Sequence, residues 1–505
     1  MNERINVTGL GKLAKISYIF LAPLIVCGLF CGVYSVKAWK ICFAALVADY
    51  LLASFLSRSL ETRRRTELIV LGALGVFFFV AMTRNGLIWQ RYSHGKLLGL
   101  IGVLTLAVGV LIFYQFREIG VGSVPGYFGS VMKRHWLISL VLIAFVVLSL
   151  PGIHQYQVAD GYIYQKMLYD RFAYFDLWTK NINDLMMGHR TFAYTLWTGM
   201  GRLIIEDGPE GYLMMQVLAG AFTVFAFYRC LLTVFKDAYL EAAVFSAVFA
   251  FSPFLFGQGP IFSMDYGVLC FGVLFFLTFL KEYELLTPLM GIAFLFTKET
   301  AAFLYAGLFL GAFLAEWIFH GGKLREIRPK KYLLSILPGV IWVAIYFFFT
   351  NGWGAYEGVG GEINTIVIPA PNFTERLKQF FFLNFNWLIL LFLCVGAIRL
   401  IMRKVRGKGR HEESLGAESY GAKKADRNVK HWILTGMSLG SVVMLVLFFS
   451  VFYTYLLPRY IMSVCVGYSF LLAVVYLSAE KTGKRDYFGF AVGAVLYALM
   501  LGQSY

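Results

Sequence analysis

Apolar runs of roughly 17 to 24 residues recur along the whole chain, each bounded by a few charged or turn-forming residues. A helix rising 1.5 Å per residue crosses a ~30 Å hydrocarbon core in about 20 residues, so runs of this length predict transmembrane helices. They are much longer than the ~10-residue alternating segments of an outer-membrane barrel. The predicted spans cover about 16–36, 39–57, 67–83, 97–114, 135–151, 211–234, 239–256, 262–280, 284–297, 299–319, 332–350, 381–402, 432–453, 457–478 and 486–503. The fold class is therefore an all-α polytopic membrane protein with about fifteen spans. The shortest predicted span is 284–297, and its neighbour follows with almost no loop. The first is longer than a signal-peptide core, lacks a clear cleavage site, and is expected to remain as a span.

The polar stretches set the orientation. With the N-terminus in the cytoplasm, the basic segments "RSLETRRRT" (58–66), "HGGKLREIRPKK" (320–331), "RKVRGKGRHEESLGAESYGAKKADRNVKH" (403–431) and "EKTGKRD" (480–486) all fall inside. About 31 of the 45 Lys and Arg are then internal, the bias that the positive-inside rule expects. Two long segments face outward, from about Pro151 to Pro209 and from about Asn351 to Phe380, and 403–431 reads as a flexible cytoplasmic loop. In the first outer loop, Leu, Met, Trp and Phe recur at helical spacing among polar residues. That pattern predicts interfacial helices, with Trp178 and Trp197 as anchors.

Composition changes this picture little. The formal net charge of +16 would suggest nucleic acid in a soluble chain, but here it belongs to loops on one side of a membrane, and no nucleic-acid partner is expected. The seven cysteines lie within apolar segments, with no CxxC or Cys/His spacing, so neither a disulfide framework nor a zinc site is indicated. No compact ligand spacing points to a divalent metal, and no cofactor is predicted.

Charged residues at the outer turns carry the candidate chemistry. "GIAFLFTKETAAFLY" (291–305) places Lys298 and Glu299 between two short-linked helices. A charge at the centre of a bilayer costs roughly 2.5 to 3.5 kcal/mol, so the pair is expected at an outer hairpin tip. It either reaches water there or serves a site. Asp265 stands at the outer start of one span, in "SPFLFGQGPIFSMD" (252–265), and Arg459 at that of another, in "LLPRYIMS" (456–463). Asp160, Tyr164 and Asp170 lie in "HQYQVADGYIYQKMLYDRFAYF" (154–175), and His189 and Arg190 in "GHRTFAYTLWTGMGRLI" (188–204). The second outer loop, "NGWGAYEGVGGEINTIVIPAPNFTER" (351–376), is Gly-rich and carries Trp353 and Tyr356.

This ordered series resembles the C-type (GT-C) polyprenyl-phosphate-sugar-dependent glycosyltransferases, which include protein O-mannosyltransferase-like and lipid A aminoarabinose transferase-like enzymes. The likeness covers about residues 135–478 and leaves a four-span extension, 1–134, before a core of 135–505. It implies a GT-C-like helix bundle in a bacterial plasma membrane. Such a bundle takes a sugar from a polyprenyl-phosphate donor and moves it, usually with inversion, to an acceptor hydroxyl of a lipid, glycan or protein on the outer face. By resemblance, Asp160 is the general base, with Asp170 a competing candidate. Lys298, Arg459, Arg190 and His189 would meet the donor phosphate. Tyr164, Asp265 and Glu299, with Trp353 and Tyr356 on a mobile cover, would line the sugar or acceptor site. Many relatives carry Asp-Glu where this chain has Asp160-Gly161. The alternatives are a transporter or flippase of lipid-linked glycans, or an outer-face polymerase or ligase using a pyrophosphate-linked donor.

Overall fold

The computed structural model describes residues 124–155, 193–199, 209–349, 373–382, 386–407, 418–452 and 458–479, with isolated positions that include Glu67, Gln157, Gly161 and 491–496. The predicted spans before residue 124, and most of 486–503, lie outside the described residues. Every predicted span from 135 to 478 coincides with a helix, and the described residues contain no strand. The helices are α1 (Val124–Ser149), α2 (Ala193–Gly199), α3 (Glu210–Val234), α4 (Tyr239–Ala250), α5 (Met264–Leu280) and α6 (Leu286–Leu295). They continue with α7 (Ala301–Phe319), α8 (Pro329–Phe349), α9 (Phe373–Phe382), α10 (Asn386–Gly407), α11 (Glu418–Leu447) and α12 (Met462–Ala479).

Burial sorts these helices into a centre and a rim. α3, α5 and α12 are buried along most of their length, and ring stacking joins them. Phe227 of α3 lies 4.4 Å from Phe249 of α4 and 4.2 Å from Phe470 of α12, which in turn stacks on Phe276 of α5 at 4.9 Å. At the rim, exposed residues form apolar stripes. Trp136, Leu140, Ile143 and Val147 line one face of α1; Leu333, Ile336, Val340 and Val343 line one face of α8; Trp387, Leu391, Val395 and Ile398 line one face of α10. Steps of three and four residues keep each stripe on one side of its helix. In water such stripes would drive association, whereas against lipid tails they are the expected outer surface.

Length divides the helices further. Lys133–His154, Glu210–Val234, Ala301–Phe319 and Asn428–Ser450 are each long and apolar enough to cross a membrane. Phe373–Phe382 with Asn386–Met402, bent by 69°, makes a fifth if the pair is one span. α4 and α6 have only 12 and 10 residues. They rise about 18 and 15 Å, roughly half of a ~30 Å core, so among the described residues four or five helices are long enough to cross by themselves. The cause is local: "SPFLFGQGP" after α4 turns at Pro253, Gly257 and Gly259, and α6 ends at the "TKET" turn. The chain is an integral multi-pass membrane protein.

Two further expectations need adjustment. The stretch 403–431, expected to be a flexible loop, is helical at both ends, since α10 runs on to Gly407 and α11 begins at Glu418. Ala, Lys and Glu in "ESYGAKKADRNVKH" are good helix formers, and the neighbouring span supplies a nucleus. α1 starts earlier than expected and breaks at His135 (φ −110°, ψ 16°), where the predicted span begins. α2, part of the first outer loop, is docked into the bundle end. Tyr194 and Thr198 are fully buried, and the Trp197 indole donates to the Met215 carbonyl at 2.9 Å.

Contacts between helix ends follow the alternation that the loops predict. Segments expected outside meet one another at one end of the bundle, where Gly152 abuts Pro260 and the Ala193 N–H donates to the Phe296 carbonyl at 3.0 Å. Segments expected inside meet at the other end, where Glu67 accepts from the Leu285 N–H at 3.0 Å and Arg328 pairs with Glu282 at 2.9 Å. These are called the outer and inner ends below.

Candidate functional site at the outer end

Asp265 sits in the first turn of α5, where the N-terminal end of the helix dipole favours a negative charge. Ser263 caps this helix: its Oγ accepts from the Asp265 N–H at 3.2 Å and donates to Asp265 Oδ2 at 3.4 Å. Lys298 follows the C-terminus of α6, where the last carbonyls favour a cation. Because α5 and α6 run antiparallel, these two ends lie side by side. Lys298 Nζ donates to both Asp265 oxygens, at 2.8 and 3.0 Å. Lys298 is 4% exposed and Asp265 5%, so water contributes little and each charge depends on the other.

A third outer turn completes the cluster. Pro458–Ile461 forms a short 3-10 helix before α12, and the Tyr460 ring lies 4.3 Å from Lys298 Nζ, within cation–π range. Arg459 is part of the same turn. Tyr460 stacks on Phe449 with ring centroids 5.3 Å apart, and buried Arg376 of α9 donates to the Phe449 carbonyl at 2.9 Å. Phe449 belongs to a π-helical segment, Phe448–Phe452, that continues α11. π-turns leave carbonyls displaced from the α-helical ladder and are frequent at functional sites. Here an arginine from the end of the second outer loop takes one of those carbonyls.

Two glutamines secure the surrounding loops. Gln216 is fully buried in α3. Its Nε2 donates to the Gly259 and Ile261 carbonyls at 2.7 and 2.8 Å, and its Oε1 accepts from the Tyr194 hydroxyl at 2.6 Å. Gln157 donates to the Pro260 carbonyl at 2.8 Å and accepts from the Phe262 N–H at 2.8 Å. Gly161 packs on the same loop, where a Cβ would lie 3.3 Å from the Phe262 carbonyl. Gly267 leaves room for the Tyr194 ring, since a Cβ there would come within 2.4 Å of it. The segments on either side of the first outer loop are thereby clamped against the loop that leads into Asp265.

The structure brings together Asp265, Lys298 and the turn that carries Arg459; Glu299 adjoins them in sequence and is partly exposed. It pairs Asp265 with Lys298, so Asp265 holds the lysine in place. Asp160, Tyr164, Asp170, His189, Arg190, Trp353 and Tyr356 lie outside the described residues. Gln157, Gln216, Tyr194, Tyr460 and Arg376 went unrecognised in the sequence. Of these, Gln216 gave a signal, an amide near the start of a largely apolar predicted span. Among the described residues no group of three or more His, Cys, Asp or Glu side chains is arranged to hold a metal ion. No protein family, characterised protein or solved structure matches this chain.

Proposed function

We propose that the protein is a membrane glycosyltransferase of GT-C-like architecture. It takes a sugar from a polyprenyl-phosphate donor and joins it to an acceptor hydroxyl at the outer face of a bacterial plasma membrane. The observation that supports this most is the meeting of three outer turns at the Asp265–Lys298–Tyr460 cluster. A buried lysine, positioned by a carboxylate and flanked by an arginine-bearing turn, suits the phosphate of a lipid-linked leaving group.

In this reading the acceptor oxygen attacks the anomeric carbon, and the bond from that carbon to the phosphate oxygen breaks. The electron pair leaves with the lipid phosphate, and Asp160 accepts the hydroxyl proton. Lys298 and Arg459, with Arg190 and His189, stabilise the charge that develops on the phosphate. Apolar helix faces at the rim suit a polyprenyl tail.

The test is purified protein with a synthetic polyprenyl-phosphate sugar and release of polyprenyl phosphate as the readout. Asp160→Asn is expected to lower turnover about 10²- to 10⁴-fold, the usual worth of a general base. Unchanged turnover in that variant would remove Asp160 from the role.

One observation favours a second reading, transport of a lipid-linked glycan. The 69° bend between Phe373–Phe382 and Asn386–Met402 is the kind of broken helix that transporters use. Movement of a labelled lipid-linked sugar across a vesicle bilayer, without release of polyprenyl phosphate, would select transport over transfer.

A further inference from the structure

A cavity of about 150 Å³ opens at the inner end, far along the helices from the cluster just described. Its wall includes Thr287 of α6, Arg328, Lys330 and Lys331 at the start of α8, and Glu282 and Glu284 from the α5–α6 turn. We propose that it binds a phosphate group, carried by an anionic lipid headgroup or by a soluble phosphate.

Four observations set the sign of the ligand. First, α6 and α8 both begin here, so the positive ends of two helix dipoles converge on one space. Second, neither helix has an acidic residue in its first turn, and α8 instead places Lys330 and Lys331 there. Glu284 and Glu316 already pair with these lysines, so the two helix ends, not an excess of basic side chains, favour an anion here. Third, Thr287 is 3% exposed, lines the cavity, and its hydroxyl has no hydrogen-bond partner among the described residues. Buried hydroxyls are normally satisfied, so this one points to a ligand or water in the space it faces. Fourth, a carboxylate already uses this environment, since Glu67 accepts from the Leu285 N–H beside the start of α6.

The acids at the rim orient the bases. Glu282 takes Arg328 at 2.9 Å, Glu284 takes Lys330, and Glu316 takes Lys331 from behind. An ammonium has three N–H groups, so the contact of Lys330 with Glu284 leaves donors for an anion. Glu282 holds its place with φ at 54°, a left-handed conformation that favours glycine, and it is the one non-glycine residue with positive φ among the described residues. The side chains of Arg328 and Lys330 are 52% exposed. The mouth of the cavity is therefore open at the end where the basic loops meet the membrane surface and its anionic headgroups.

The full chain in detergent is titrated separately with phosphatidylglycerol, phosphatidylcholine and inorganic phosphate, and the thermal unfolding midpoint is read. The expected result is a rise of several degrees with phosphatidylglycerol and none with phosphatidylcholine. Arg328→Gln/Lys330→Gln and Thr287→Val should each lose most of that rise while keeping the midpoint seen in phosphatidylcholine. Thr287→Val leaves every ion pair in place, so it separates loss of the site from loss of charge. A rise with inorganic phosphate alone would support the same site with a soluble ligand as its source. No rise with either phosphatidylglycerol or inorganic phosphate, or a rise that survives in both variants, would overturn the proposal. Neither outcome depends on sugar transfer.

Discussion

Lys298 and Asp265 are held in the bundle by each other. Taking either charge out of water is costly, and an ion pair at this depth roughly offsets that cost when its hydrogen bonds are made. The two bonds from Lys298 Nζ, the Ser263 hydroxyl and the Tyr460 ring supply that compensation. Removing one partner leaves the other charge buried, so Lys298→Met should destabilise the protein by roughly 3–5 kcal/mol. Replacing both with apolar residues of similar size should restore most of the stability. If the pair exists for chemistry, Asp265→Leu/Lys298→Met will fold and still lack activity. Unfolding curves of the two single variants and the double variant, alongside turnover, check this. Activity retained in the folded double variant would take the pair out of the proposed mechanism.

Among the elements, α7 and α11 approach each other closely. Gly307 and Gly311 on α7 face Gly440 and Gly436 on α11, each pair four residues apart. A Cβ at Gly311 would sit 2.0 Å from the Gly436 carbonyl oxygen, and one at Gly440 would sit 2.2 Å from the Gly307 carbonyl. Without a hydrophobic drive between helices in lipid, such close backbone contact gains its stability from dispersion, and only glycine permits it. Gly311→Leu should therefore cost at least 1–3 kcal/mol, the usual penalty for overpacking, and lower the thermal midpoint. Gly339→Ala on α8, where nothing lies within 4 Å of a Cβ, serves as the control and should hold or raise the midpoint, since Ala is the better helix former. Both motifs, "GLFLG" and "GMSLG", stand in the sequence. What the spacing could not show is which helix each one faces, since any two glycine stripes are equally complementary.

For the whole molecule, the alternation of helix ends gives a test of orientation. Lys323, whose side chain is 72% exposed, stands at the inner end, and Ile261, 38% exposed, at the outer end. Lys323→Cys should react with a membrane-impermeant maleimide only in inside-out vesicles, and Ile261→Cys only in right-side-out vesicles. Labelling in the reverse sense would turn the chain over and move the Asp265–Lys298 cluster to the cytoplasm. Labelling of both from one side would break the alternation itself.

The helices were legible because burial in lipid demands long apolar runs and satisfied backbones, and both leave their mark residue by residue. The basic loops and the outer-turn charges were legible for the same reason, since a charge must find an end or a partner. Apolar runs and charge placement alone thus specify the membrane class, the order of the helices and the turns on which Asp265, Lys298 and Arg459 stand. Packing in three dimensions is what pairs Lys298 with Asp265 beside Tyr460, sets Gln157 and Gln216 on the Pro260 loop, and starts α6 and α8 around one cavity. Those contacts join residues tens to hundreds of positions apart. They depend on which helix end lies beside which, and apolar periodicity carries no information about that choice.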